Sequence, residues 1–173
     1  AENYRSRAAY KLIELDERFG FLRGVKRVVD LGIAPGGWSQ VVRRRSPKIA
    51  IVGIDLLPVD PIDDVVIVQM DFMDDAAPAK LTEALGGAPD LVLSDMAANA
   101  TGHRATDHLK IMALVEAAAE FAREVLKDGG AFLAKVIQGG TESALLAALK
   151  RDFALVKYVK PAASRAVSAE LYG

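Results

Sequence analysis

Apolar positions along the chain alternate between two periods. Over residues 5–19 they recur at helical spacing, with Ala9, Leu12, Ile13 and Leu15 on or near one face, which predicts an amphipathic helix. Arg27 to Leu31 is a short apolar run and the first expected strand. A glycine-rich loop, GIAPGG, then leads into a helix through Val41 and Val42. KIAIVGID (48–55) is almost continuously apolar, as a strand covered on both faces should be, and VVIVQMD (65–71) reads as a third strand of the same kind.

Residues 76–85 suit a helix, DLVLSD (90–95) a fourth strand, and 106–127 a long alanine-rich helix closed by Asp128, Gly129 and Gly130. GAFLAKVI (130–137) predicts a fifth strand, 141–151 another helix, FALVKYVK (153–160) a sixth strand, and SAELYG the start of a seventh. This alternation predicts an α/β fold. The expected architecture is a single Rossmann-like domain over residues 1–173, with a mainly parallel seven-stranded sheet and helices on both faces. No internal repeat or long linker divides it.

A length of 173 residues, half of them apolar and a quarter charged, is enough for one packed core and unlike a disordered chain. The net charge of -1 gives no global basic field, so affinity for nucleic acid would have to come from local clusters. Arg5, Arg7 and Lys11 form one, Arg43 to Arg45 a second, and Lys157, Lys160 and Arg165 a third; a solvated face is the ordinary explanation of any one of them. The absence of cysteine excludes disulfides, thiolate metal sites and a cysteine nucleophile, and fits a cytoplasmic setting. No apolar run reaches the roughly 18 residues of a membrane span and no signal-peptide pattern is visible, so no membrane association is expected. The chain starts without Met and stops in mid-pattern, which leaves trimming at both ends open.

In a parallel α/β sheet, ligands lie beyond the carboxyl ends of the strands. Asp30 with Gly32, Asp55, Asp71, Asp95 and Lys135 all fall at or just past such ends. A carboxylate beside the glycine loop would repel a pyrophosphate, so this rim suits a cationic or neutral ligand. S-adenosylmethionine, with a sulfonium and an ammonium against one carboxylate, is such a ligand. Its adenosine part would use Gly32, Gly36 and Gly37 for close backbone approach and Asp55 for the ribose hydroxyls. The competing readings are a capping or turn role for Asp30 and Asp55, and a core position for Trp38, which otherwise shapes the loop.

Lys135 interrupts an apolar strand, where a buried amine costs free energy unless it is paired or neutral. It either snorkels to solvent or stands beside Asp95 with its amine aimed at the site. As a general base it would need to be partly neutral, which a second cation favours, and Lys11 is the candidate. Asp95 would then orient Lys135, and Glu170 could orient other components from the last strand. His103 and His108 lack metal-ligand spacing, so no metal is expected, and no Ser-His-Asp arrangement is recognisable.

RSRAAYKL, DLGIAPGGWSQ, LSDMAAN, AKVIQGG and SAELY, in that order and spacing, resemble the FtsJ/RrmJ family of S-adenosylmethionine-dependent ribose 2'-O-methyltransferases over nearly the whole chain. The family's Lys-Asp-Lys-Glu tetrad falls on Lys11, Asp95, Lys135 and Glu170. The resemblance implies that Lys135 accepts the proton of a ribose 2'-hydroxyl while the methyl moves in line from sulfonium to oxygen. It implies a cofactor site of Asp30, Gly32, Pro35, Gly36, Gly37, Trp38, Asp55, Asp71, Phe72 and Asp95, in which Asp55 takes the ribose and Asp71 the adenine amino group. It further implies a monomer that binds RNA through Arg5, Arg7 and Lys11. The match through DLLPVDPI resembles the bacterial branch, whose substrate is a uridine of large-subunit ribosomal RNA on the ribosomal particle. Ala98 replaces a common proline and Ile137 a phenylalanine at the border of the substrate cleft, which leaves the nucleotide open. A transfer-RNA ribose methyltransferase, a catalytically silent RNA-binding assembly factor and a dehydrogenase are the alternative expectations.

Overall fold

The computed structural model describes residues 3–96, 108–136, 146–147, 149–151, 153–159 and 165–171. The chain groups into two compact units, Ala1–Pro89 and Asp90–Gly173. Seven strands are described, of which five have a parallel partner.

The first unit runs α1 (Ala8–Phe19), β1 (Arg27–Leu31), α2 (Gly37–Arg45), β2 (Ala50–Asp55), β3 (Val65–Gln69) and α3 (Ala77–Leu85). β1 pairs in parallel with β2, and β2 with β3, so that Leu31 stands beside Ile54 and Asp55 beside Gln69. Parallel strands need crossovers, and the glycine loop with α2 supplies the first of them. Val28, Val29, Leu31, Val52 and Ile54 are buried, as are Leu12 and Leu15 of α1, Val41 and Val42 of α2, and Leu81 of α3.

Helix α1 buries Ala8, Ala9, Leu12 and Leu15, the expected face, with Ile13 only half-buried at its margin. It starts at Ala8, three residues later than the periodicity predicts, because Arg5 is held elsewhere: its backbone N–H donates to Gln40 Oε1 (2.8 Å). The helix ends where Gly20, at φ 67°, donates its N–H to Asp16 O, a left-handed stop that favours glycine.

β3 corrects one expectation. It is not covered on both faces: Val66 is 49% exposed and Gln69 is open to solvent. Its described ladder is with β2 alone, as in an edge strand, and its β-branched residues fit the extended backbone without full burial. The strand ends at Gln69, so Asp71 lies two residues beyond it.

The second unit contains β4 (Leu91–Ser94), α4 (His108–Val125), β5 (Ala131–Val136), β6 (Phe153–Val159) and β7 (Arg165–Leu171). β4 and β5 are parallel, whereas β7 runs antiparallel to both β5 and β6, giving the order β4-β5-β7-β6. Leu91, Val92 and Leu93 are buried, as are Phe132, Leu133, Phe121, Ala122 and Leu149. Phe132 and Phe153 stack at 6.2 Å. Before β4, Asp90 pairs with Lys127 and accepts the Ala131 N–H on its carbonyl (2.9 Å), closing the turn into β5.

β7 begins at Arg165 and not at Ser168, because Arg165 and Ala166 already pair with Val136 and Lys135. Most of the helix expected at 141–151, together with His103, Ala98 and Ile137, lies outside the described residues. No described helix is long and apolar enough to cross a membrane.

Candidate active site

At the carboxyl end of β1 the backbone N–H groups of Gly32 and Ile33 both donate to Ile54 O (2.9 and 3.1 Å), so the glycine loop starts tied to the end of β2. Gly32 has φ 75°. Ile33 packs over Gly53, where a Cβ would collide with its side chain. Asp55 closes β2 and joins two loops: Oδ2 accepts the Ala34 N–H (2.9 Å) and Oδ1 the Leu57 N–H (3.0 Å). A carboxylate offers about four lone-pair sites, so Asp55 can brace both loops and still accept a hydroxyl. The turn reading and the ligand reading of Asp55 are therefore compatible.

Gly36 has φ 120° and lies against Ile62 and Arg5; Gly37 opens α2, and a Cβ there would collide with Ser6 Oγ. At Gly37 the need for glycine thus comes from Ser6 and Ala9 closing on the loop, whereas at Gly36 it comes from the positive φ and from Ile62. Trp38 is buried, and its indole N–H donates to Ala8 O (2.8 Å), which fastens α2 to the start of α1. Pro35, on the exposed turn of the loop, follows a cis peptide bond. Asp30 is 1% exposed, one position inside the end of β1, and accepts the Ser39 hydroxyl (2.6 Å). It supports α2 from beneath the loop.

Past β3, Asp71 is exposed and accepts the Met73 N–H on Oδ1 (2.9 Å), with half-buried Phe72 between them. Leu56 and Leu57, next to Asp55, are each 60% exposed, and Met73 is 48% exposed. Exposed apolar side chains beside carboxylates with spare lone pairs, at strand ends that also carry the glycine loop, fit an adenosine. The donor set is therefore suited to S-adenosylmethionine.

In the second unit, the last register pair of β4 and β5 is Ser94 with Ala134. Asp95 directly follows the end of β4 and Lys135 is the next residue of β5, so the register brings the two positions to adjacent strand ends. Both are half-buried, and Oδ1 of Asp95 is shielded from solvent. Glu170 is placed differently: it pairs with Ala131, and Lys135 with Ala166. Four residues of strand, roughly 13 Å at ~3.3 Å per residue, separate Glu170 from Lys135 along the ladder.

The FtsJ-like methyltransferase family matches residues 4–173. The chain belongs to that family. Two relatives called ribosomal RNA large subunit methyltransferase E are similar to it: one from Rhizorhabdus wittichii is 69% identical over 99% of this chain and 75% of its own length. The other, from Novosphingobium aromaticivorans, is 64% identical over 99% of this chain and 78% of its own. A crystal structure of a Plasmodium falciparum protein assigned as a ribosomal RNA methyltransferase superposes with a TM-score of 0.82 at 35% identity, covering 98% of both chains. The α/β methyltransferase fold therefore extends over nearly the whole chain. The protein is a methyltransferase, and its methyl donor is S-adenosylmethionine.

In this FtsJ-like methyltransferase most of the basic side chains at residues 5–11 and 43–45 are committed to the protein itself. Arg5 donates to the carbonyls of Pro35 (3.1 Å), Asp60 (2.6 Å) and Pro61 (2.8 Å). Arg43 donates to Asp63, Asp64, Ser46 and Pro47 carbonyls, Arg44 lies 4.3 Å over the Tyr4 ring, and Arg45 pairs with Asp16 (3.0 Å). Lys11 pairs with Glu14 one turn on (2.9 Å), and Arg7 is exposed. Sequence reasoning gave no role to Ser6, Ser39, Gln40 or Ile62. The polar SQ pair inside the otherwise apolar start of α2 was the signal for two of them.

Proposed function

We propose that the protein methylates a ribose 2'-hydroxyl of large-subunit ribosomal RNA, with Lys135 as general base. The relatives named as large-subunit methyltransferases support the substrate class, and the placement of Asp95 and Lys135 on adjacent strand ends carries the chemistry. When bound, S-adenosylmethionine supplies an electrophilic methyl on a positively charged sulfur. The glycine loop and Asp55 hold it, with Asp71 and Phe72 at the adenine and Asp30 supporting the loop from below. Lys135 Nζ takes the hydroxyl proton as the oxygen becomes the nucleophile, and Asp95 keeps the amine oriented. Lys11 and Glu170 complete the set on the strength of the resemblance. The same reading takes the protein as a cytoplasmic monomer acting on a uridine in the ribosomal particle, with Arg7 and Lys11 near phosphates.

Incubation with labelled S-adenosylmethionine and intact large subunits, free ribosomal RNA or transfer RNA, followed by mapping of the product, tests the reaction and its substrate. Methyl should appear on a ribose of the large subunit; labelled transfer RNA alone would reassign the substrate. Lys135→Ala should lower the rate by about 100-fold or more while leaving binding of S-adenosylhomocysteine intact. Wild-type turnover by that variant removes the proposed base. Glu170→Gln reads the register: a small effect goes with its pairing to Ala131, a large one with a place beside Lys135.

A further inference from the structure

Arg5 lies in a motif that the RNA reading assigns to phosphate contact, yet its guanidinium faces the protein. Both N–H bonds of Nη1 are engaged, with Pro35 O at 3.1 Å and Asp60 O at 2.6 Å, and Nη2 donates to Pro61 O at 2.8 Å. The backbone N–H of the same residue donates to Gln40 Oε1 in α2. Nη1 would lie 3.1 Å from a Cβ on Gly36, so the side chain is laid against the glycine loop. Arg43 holds the other end of the same segment through the carbonyls of Asp63 and Asp64. The 60–61 carbonyls belong to the segment that leaves Asp55, and Pro35 belongs to the glycine loop. One planar cation therefore fixes the spacing between two loops that the cofactor reading puts on either side of the ligand.

We infer that Arg5 is a positioning residue for the S-adenosylmethionine site: it locks the glycine loop to the 60–61 segment and is not an RNA phosphate contact. The inference rests on the proposed cofactor site. A lysine in its place separates the two roles. It keeps the charge that a phosphate needs, but its ammonium is a point charge and cannot span carbonyls on two loops as a planar fork does. Rescue by lysine therefore marks RNA contact, and failure of rescue marks the loop lock.

The test compares wild type, Arg5→Lys and Arg5→Ala by calorimetry with S-adenosylhomocysteine, by the KM for S-adenosylmethionine, and by the salt dependence of binding to the RNA substrate. Arg5→Lys should weaken S-adenosylhomocysteine on the order of tenfold, the loss of one or two charge-assisted hydrogen bonds. The KM for the cofactor should rise more than kcat falls, and the slope of log affinity against log salt should not change. Wild-type cofactor affinity in Arg5→Lys, with Arg5→Ala losing about one unit of salt slope, overturns the inference in favour of phosphate contact. A lowered Tm with unchanged cofactor affinity, measured where the variant is folded, overturns it in favour of a purely structural staple. Failure of the wild type to bind S-adenosylhomocysteine sinks the cofactor site itself, and the inference with it.

Discussion

Ser6 and Gly37 meet so closely that each dictates the other. Gly37→Ala should destabilise the protein by about 1–3 kcal/mol, as overpacking usually does, and Ser6→Gly in the same chain should recover part of that loss; paired urea titrations give both values. Trp38→Phe keeps the ring in its buried slot but removes the N–H that binds Ala8 O, for an expected loss of about 1 kcal/mol on the same titration. The glycines were legible in the sequence, but their reason was not. A glycine beside a ligand and a glycine beneath a serine look alike until the chain closes, since Ser6 is remote in sequence. On the surface of α4, the hydrogen bond from Arg123 holds the Glu120 carboxyl below its ordinary pKa. A lowered carboxylate pKa adds stability above the unfolded value and loses it as pH falls through the folded value. The pair is exposed, so Glu120→Gln should melt only slightly below wild type at neutral pH, and the two melting curves should converge as pH falls through the folded value.

Elements were legible wherever the apolar pattern is local. The ranges of α3, β4 and β5 came within a residue of expectation, because burial of one face or of a whole strand leaves its period in the chain. α1 was misjudged at its start, where a side-chain clamp and not periodicity decides the first turn. Strand β3 kept an apolar run although it stands at an edge. The position of β7 was not legible at all: strand neighbours are a non-local choice, and nothing in SAELYG announces a place between β5 and β6. The short segment between β2 and β3 has no regular structure and depends on two arginines. Arg43→Ala should therefore speed amide hydrogen exchange through residues 60–64 while leaving exchange in β1 unchanged. Equal protection in both proteins would show that the carbonyl contacts do not order the segment.

For the molecule as a whole, two groups of candidate residues were legible, one in each unit. The glycine loop with Asp55, and Asp95 with Lys135, each follow from one strand-end register, and strand ends can be read from sequence. Register across β5 and β7 cannot, so nothing in the sequence announces that Glu170 stands opposite Ala131. The net charge of -1 bears on the RNA: attraction must be local, so few counterions should be released. Filter binding from low to physiological salt should give a shallow slope for free RNA, of a few phosphates at most. A steep slope would mean that a larger basic surface exists than Arg7 and Lys11 provide.

The order of β6 and β7 bears on how the protein is made. Chains fold from the amino end as they are synthesised. β5 and β6 both leave the ribosome before β7, the strand that pairs with each of them. During that interval two strands of the second unit present open edges, the condition that favours association with other nascent chains. An enzyme proposed to act on the ribosome would thus spend its own most vulnerable moment beside one.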